Sequence, residues 1–149
     1  MATFNKGVVD KRPLFAGTWG NNTVGIYSFT AAGEAIASEV IFGKVPRNAI
    51  VHSVKLVNAA LGASSTIKVG YKTSEVGGTL TADDDYWLGA TATSSAASTV
   101  SAALPKQFDE EVYITGVTAG GTITGVVTVV VSGFDNADSG AFTLTATRN

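Results

Sequence analysis

The chain has 149 residues, a formal net charge of −2, charged side chains at 15% and hydrophobic ones at 45%, a length that builds one domain with a real core and is short for two. An acidic, sparsely charged chain lacks the clustered Lys and Arg from which phosphate binding draws its affinity, which excludes a nucleic-acid partner. The absence of cysteine removes disulfides, thiolate zinc sites and cysteine nucleophiles together, and with no apolar run long enough for a signal-peptide core or a membrane span, the expectation is a soluble chain made in a cytoplasm, with no membrane partner.

Residues 1–22 show no sustained period and contain Gly7, Pro13, Gly17, Gly20 and the pair Asn21–Asn22. They read as an extended N-terminal arm ahead of a single domain over 23–149. Apolar alternation of period two then covers 24–29, 39–43, 49–58, 66–72, 111–117, 122–133 and 141–147, and short strands at this spacing predict a sandwich or barrel. Ala31 to Ala35 suits at most one helical turn, too short for an independent helix. In 49–58, strict alternation places Ile50, His52, Val54 and Leu56 on one side and Val51, Ser53 and Lys55 on the other. Pro46 and Asn48 supply the turn before that strand, and Leu61 to Ser65 loosens the chain before the next. There Ile67, Val69 and Tyr71 share a side.

The stretch 73–110 reads least clearly. Tyr86 to Thr93 is its best candidate strand, and a helix competes over Ser94 to Leu104, weakened by interleaved Ser and Thr. In 122–132 the two sides are both partly apolar: Ile123, Val127, Val129 and Val131 on one, Val126 and Val130 on the other. This predicts a central strand, or an outer face packed on another subunit. Charged residues stand well below the roughly 25% of an average globular protein. Small neutral Thr, Ser, Ala and Gly replace them, as suits tight loops or a surface covered by other subunits.

Few residues carry candidate chemistry. His52 is the only histidine, and with no second His, no Cys and no nucleophile elbow it reads as a partly buried, hydrogen-bonded structural residue. Asp83–Asp84–Asp85 and Asp109–Glu110–Glu111 offer oxygen ligands for Ca²⁺, yet adjacent extended residues alternate direction, so solvated loop charge is the reading for each. The run Asp135 to Gly140 is similar to the start of a calcium loop but has Ala137 at the third ligand position and Ala146 in place of the closing Glu, so it reads as a turn. Tyr86–Trp87, with Trp19, Tyr27 and Tyr71, form either a stacking platform for sugars or packing in a core or subunit interface. Asn21–Asn22–Thr23 matches the glycosylation pattern by chance.

Phe42-Gly-Lys-Val-Pro-Arg-Asn-Ala-Ile-Val51, then Leu56 to Gly62 and Thr66 to Gly70, and more weakly Val112 to Phe134, resemble the cement or decoration proteins on the heads of tailed bacteriophages. The resemblance implies an all-β, jelly-roll-like antiparallel β-sandwich with an extended arm. It implies a structural virion protein on the capsid exterior, without catalysis or cofactor. Its partners would be the major capsid protein and other copies of the chain, as a dimer or trimer. Lys6, Lys11 and Arg12 of the arm either attract an acidic shell surface or keep the arm soluble. With Phe15, Trp19, Tyr86 and Trp87 they are the candidate capsid contacts. The second reading is a receptor- or glycan-binding module of a phage fibre or cell surface, using Tyr86–Trp87 and the loop at Asp83.

Overall fold

The computed structural model describes residues 3–5 and 22–134. Ten strands follow one another: β1 Thr3–Asn5, β2 Thr23–Glu34, β3 Glu39–Val45, β4 Ile50–Asn58, β5 Thr66–Thr73, β6 Asp83–Ala92, β7 Ala97–Val100, β8 Lys106–Gln107, β9 Val112–Ala119 and β10 Ile123–Phe134. They form two sheets, ordered β1-β3-β9-β5-β6 and β2-β10-β4-β7, with β8 also on β4. Every pairing is antiparallel except that of β1 with β3. Nearly every connection passes from one sheet to the other, and the result is an all-β, jelly-roll-like sandwich with no helix among the described residues.

The two sheets meet through side chains of alternate residues, with a change of phase in β3 at the register shift between Ile41 and Gly43. Val40, Phe42 and Val45 of β3, Ile67, Val69 and Tyr71 of β5, and Val112 and Ile114 of β9 form one buried cluster with Val54 and Leu56 of β4 and Val127, Val129 and Val131 of β10. Burying each such side chain contributes about 1.5–3 kcal/mol. A narrow apolar gap lined by Phe29, Val40, Phe42, Ile67, Ile123 and Val127 has no room for a water molecule. As the two-sided apolar pattern predicts, β10 is central, between β2 and β4.

Several expectations need correction. Ala31 to Glu34 form no helical turn but continue β2. The reversal comes after them, with Ala37 at φ 64°. Buried Thr118 holds it: the Ala37 N–H donates to the Thr118 carbonyl at 2.8 Å, and the Thr118 hydroxyl donates to the Ala35 carbonyl at 2.7 Å. The competing helix over 94–104 is replaced by the short edge strand β7 on β4. Strict alternation in β4 also fails. Ser53 faces Ser132 while Val51 faces Gly133, so His52 is the extra residue of a β-bulge. The phase shift turns Val51 into the core and leaves His52 exposed.

The expected turn chemistry of the β3–β4 connection is present, with Asn48 at φ 66° and its N–H on the Phe108 carbonyl at 2.7 Å. Of the expected arm, Thr3–Asn5 pairs with Glu39–Ile41 at the edge of the β9 sheet. The expected strand over 141–147 and the turn at 135–140 lie outside the described residues.

Val129 and Val126 stand on opposite sides of β10, one in the core and one outward. Val129→Asp buries an unpaired carboxylate, a loss on the order of 3–5 kcal/mol from a domain total of about 5–15 kcal/mol. Val126→Asp costs about 1 kcal/mol or less. Urea unfolding of the two variants reads this contrast, and equal shifts of the midpoint would show the register of β10 to be wrong.

Candidate assembly surface

The outer faces of the two sheets are chemically different. On the β9 sheet, Lys68 Nζ lies 3.3 Å from Asp84 and 3.7 Å from Asp85, Lys72 pairs with Glu39, and Lys44 pairs with Glu111 while approaching the Tyr113 ring. Such half-exposed pairs contribute little stability each. Together they leave a face whose charges are answered within the chain.

The outer face of the β10 sheet is nearly chargeless. Ile26, Val130, Lys55 and Val100 stand directly opposite one another across β2, β10, β4 and β7. The next row is Ser28, Thr128, Val57 and Ser98, with the Ser28 and Thr128 hydroxyls hydrogen-bonded at 2.8 Å. Val24 with Ser132 and Ser53 lies beyond one side of these rows, and Thr30 with Val126 beyond the other. Ile26 is 69% exposed, Val100 59%, Val24 53% and Val126 46%. From strand and residue spacings the face measures about 400 Å², shared between Ile26, Val24, Val57, Val100, Val126 and Val130 and the hydroxyls of Ser and Thr standing among them.

The acidic clusters act inside the fold. Glu110 Oε1 accepts the Thr79 N–H at 2.6 Å, the Thr79 hydroxyl at 2.8 Å and the Leu80 N–H at 3.2 Å, while Oε2 accepts the Thr73 hydroxyl at 2.9 Å. Glu75 accepts the Glu111 N–H and pairs with Arg47, both at 2.7 Å. The β5–β6 loop is thereby braced against the β8–β9 loop. At the start of β6, contrary to the expected divergence, the carboxylates of Asp83, Asp84 and Asp85 lie within 4.8 Å of one another. A wide irregularity opposite Gly70 brings them together: β5 advances from Val69 to Tyr71 while β6 runs from Leu88 back to Asp83. A Cβ on Gly70 would overlap the backbone of Asp83 and Asp84. Lys68 already answers two of these carboxylates, so an ion there would compete with a built-in cation.

His52 Nε2 lies 2.8 Å from Asn22 Oδ1, so it donates, and its ring centroid is 6.2 Å from that of Phe134. It is hydrogen-bonded as expected but exposed rather than partly buried. Of the glycosylation-like run, Asn22 thus ties the start of β2 to β4, while Asn21 is outside the described residues. Tyr86 and Trp87 point differently. Trp87 is 5% exposed and meets Tyr71 and Phe108 edge-on in the core, whereas Tyr86 is half-buried and its hydroxyl donates to the Leu104 carbonyl at 3.2 Å. Lys106 Nζ caps this cluster, 4.9 Å from the Tyr86 centroid and 5.1 Å from that of Tyr71. Tyr27 is on β2, on the inward side, where burial pushes its hydroxyl pKa up to about 12. These aromatics make no shared exposed platform. Lys6, Lys11, Arg12, Phe15 and Trp19 lie outside the described residues.

No protein-family model and no curated protein matches the chain by sequence. Solved structures match it by fold. A chain in the capsid of Ralstonia phage GP4 superposes over 91% of this chain and 99% of its own length, with a TM-score of 0.71 and 14% identity. A chain of the cyanophage Pam1 capsid asymmetric unit covers 85% of this one and 95% of itself, with a TM-score of 0.57 and 21% identity. A chain of the acid-stable capsid of Helicobacter pylori bacteriophage KHP30 covers 78% and 88%, with a TM-score of 0.53 and 16% identity. What is shared is the fold, over 78–91% of this chain.

The Glu110 brace has a pH signature. The Thr79 N–H, then the Thr79 hydroxyl, with Thr73 and Leu80, lower its pKa from 4.5 to about 2. Because folding lowers this pKa, the stabilisation is complete above an unfolded value of 4.5 and is lost as pH falls toward about 2. Glu110→Gln should therefore lower the melting temperature at neutral pH, with the gap to the parent closing across that interval. A gap independent of pH would show that ionised Glu110 is not what holds the loop.

Proposed function

We propose that this chain is a structural virion protein that seats on the outside of an assembled phage shell and strengthens it. Likeness over nearly the full length to chains from phage capsid structures carries this reading. The β10 sheet supports it by presenting a preformed, exposed and nearly neutral face that nothing in the described fold covers. A cement role suits a sandwich whose described residues close a core and brace their end loops without a neighbour.

The mechanism is mechanical. A subunit that binds the assembled lattice and not its separated parts shifts the equilibrium toward assembly by mass action. A flat footprint of about 400 Å² makes a small contact beside a standard interface, in which each partner buries roughly 800 Å² of accessible surface. Further contact must come from elsewhere. The arm, with Lys6, Lys11, Arg12, Phe15 and Trp19, and the half-buried Tyr86 of β6 are the proposed sources. Trp87 is spent in the core. Dimers or trimers on shell symmetry axes would multiply weak contacts into firm attachment. The major capsid protein is the proposed partner, and no cofactor or chemistry is assigned. The glycan-binding alternative needed an exposed Tyr86–Trp87 platform, and no observation favours it.

The purified chain, added to preformed shells that lack it, should bind saturably and raise the temperature at which they release DNA. Absence of binding would overturn the proposal. So would failure of shells to form without the chain, which would make it a subunit of the lattice itself.

A further inference from the structure

The cations of the described fold are answered one by one. Lys44, Arg47, Lys68 and Lys72 each pair with a carboxylate, and Lys106 sits over aromatic rings. Lys55 is the exception: among the described residues it is the one Lys or Arg with neither an acid nor a ring beside it. It stands in the middle of the neutral face, between Val130 of β10 and Val100 of β7.

We infer that the outer face of the β10 sheet docks on an apolar surface of a shell subunit that presents an Asp or Glu to Lys55; the inference rests on the proposed shell-binding function. An unpaired ammonium taken out of water within an apolar contact is strongly unfavourable, whereas a matching carboxylate restores its interactions. Lys55 thus rejects surfaces that are merely greasy and accepts one with an acid in register, while Ile26, Val24, Val126 and Val100 supply apolar contact around it. A second copy laid face to face is a poor occupant. The outward positions of these rows hold no Asp or Glu, so two Lys55 side chains would share one apolar interface with nothing to answer them.

Binding of the full-length chain to shells lacking it tests this, with variants first checked for parental melting temperatures. Lys55→Glu should weaken binding by about 100-fold or more, Lys55→Arg by less than about 3-fold, and Ile26→Ser by about 10-fold. Ala90→Glu, exposed on the other sheet, should change nothing. Carbodiimide, which joins an amine directly to a carboxylate, should link Lys55 to an Asp or Glu of a shell subunit. If the parent binds shells and Lys55→Glu and Ile26→Ser bind equally well, this docking face is wrong while the function stands. Linkage of Lys55 to another copy of this chain would also overturn the occupant. Shells that take up no parent protein would remove the function and the docking face together.

Discussion

Strand parity divides every side chain of a two-sheet sandwich between the shared interior and an outer face, and β10 bears both consequences at once. Val127, Val129 and Val131 complete the core with Phe42, Ile67 and Ile114. On the reverse, Val126 and Val130 join Ile26 and Val100 on an uncovered surface. Neither side can be traded away independently. A one-residue slip of β10 would exchange the two sets and bring Thr128 and Ser132 inward, so the close packing of the core also fixes the pattern displayed outside.

The two outer faces divide the work of a surface. That of the β9 sheet is finished, with its lysines answered by acids of the same chain. That of the β10 sheet mixes Val and Ile with neutral hydroxyls around Lys55, which no acid or ring among the described residues answers. The end loops reinforce the contrast, because Glu75, Glu110 and Glu111 spend their oxygens on backbone amides, hydroxyls, Arg47 and Lys44. Acidic sequence here stiffens loops rather than offering ligands.

Strict alternation made the core half of this legible. Ile67, Val69 and Tyr71, and the two-sided β10, needed only the period of two. Val51 and His52 did not follow it, because a bulge is a mismatch between two strands that neither sequence contains alone. The Ala/Ser/Thr stretch around β7 is neutral between helix and strand, and the open edge of β4 decided it. The convergence of Asp83, Asp84 and Asp85 depended on Gly70, a residue on another strand. The candidate surface was invisible for the same reason: Ile26, Val130, Lys55 and Val100 come from four strands, and only the sheet order sets them in a row. The apolar residues at both parities of 122–132 were the one local hint.

A cryo-EM reconstruction of phage shells loaded with this chain tests the proposed docking most directly. The sandwich should lie on the exterior of the shell, with the outer face of the β10 sheet turned toward the lattice, the Lys55 ammonium within salt-bridge distance of a shell carboxylate, and the salt-bridged face of the β9 sheet toward solvent. A sandwich seated the other way round, with Ile26, Lys55 and Val100 in open solvent, would contradict it.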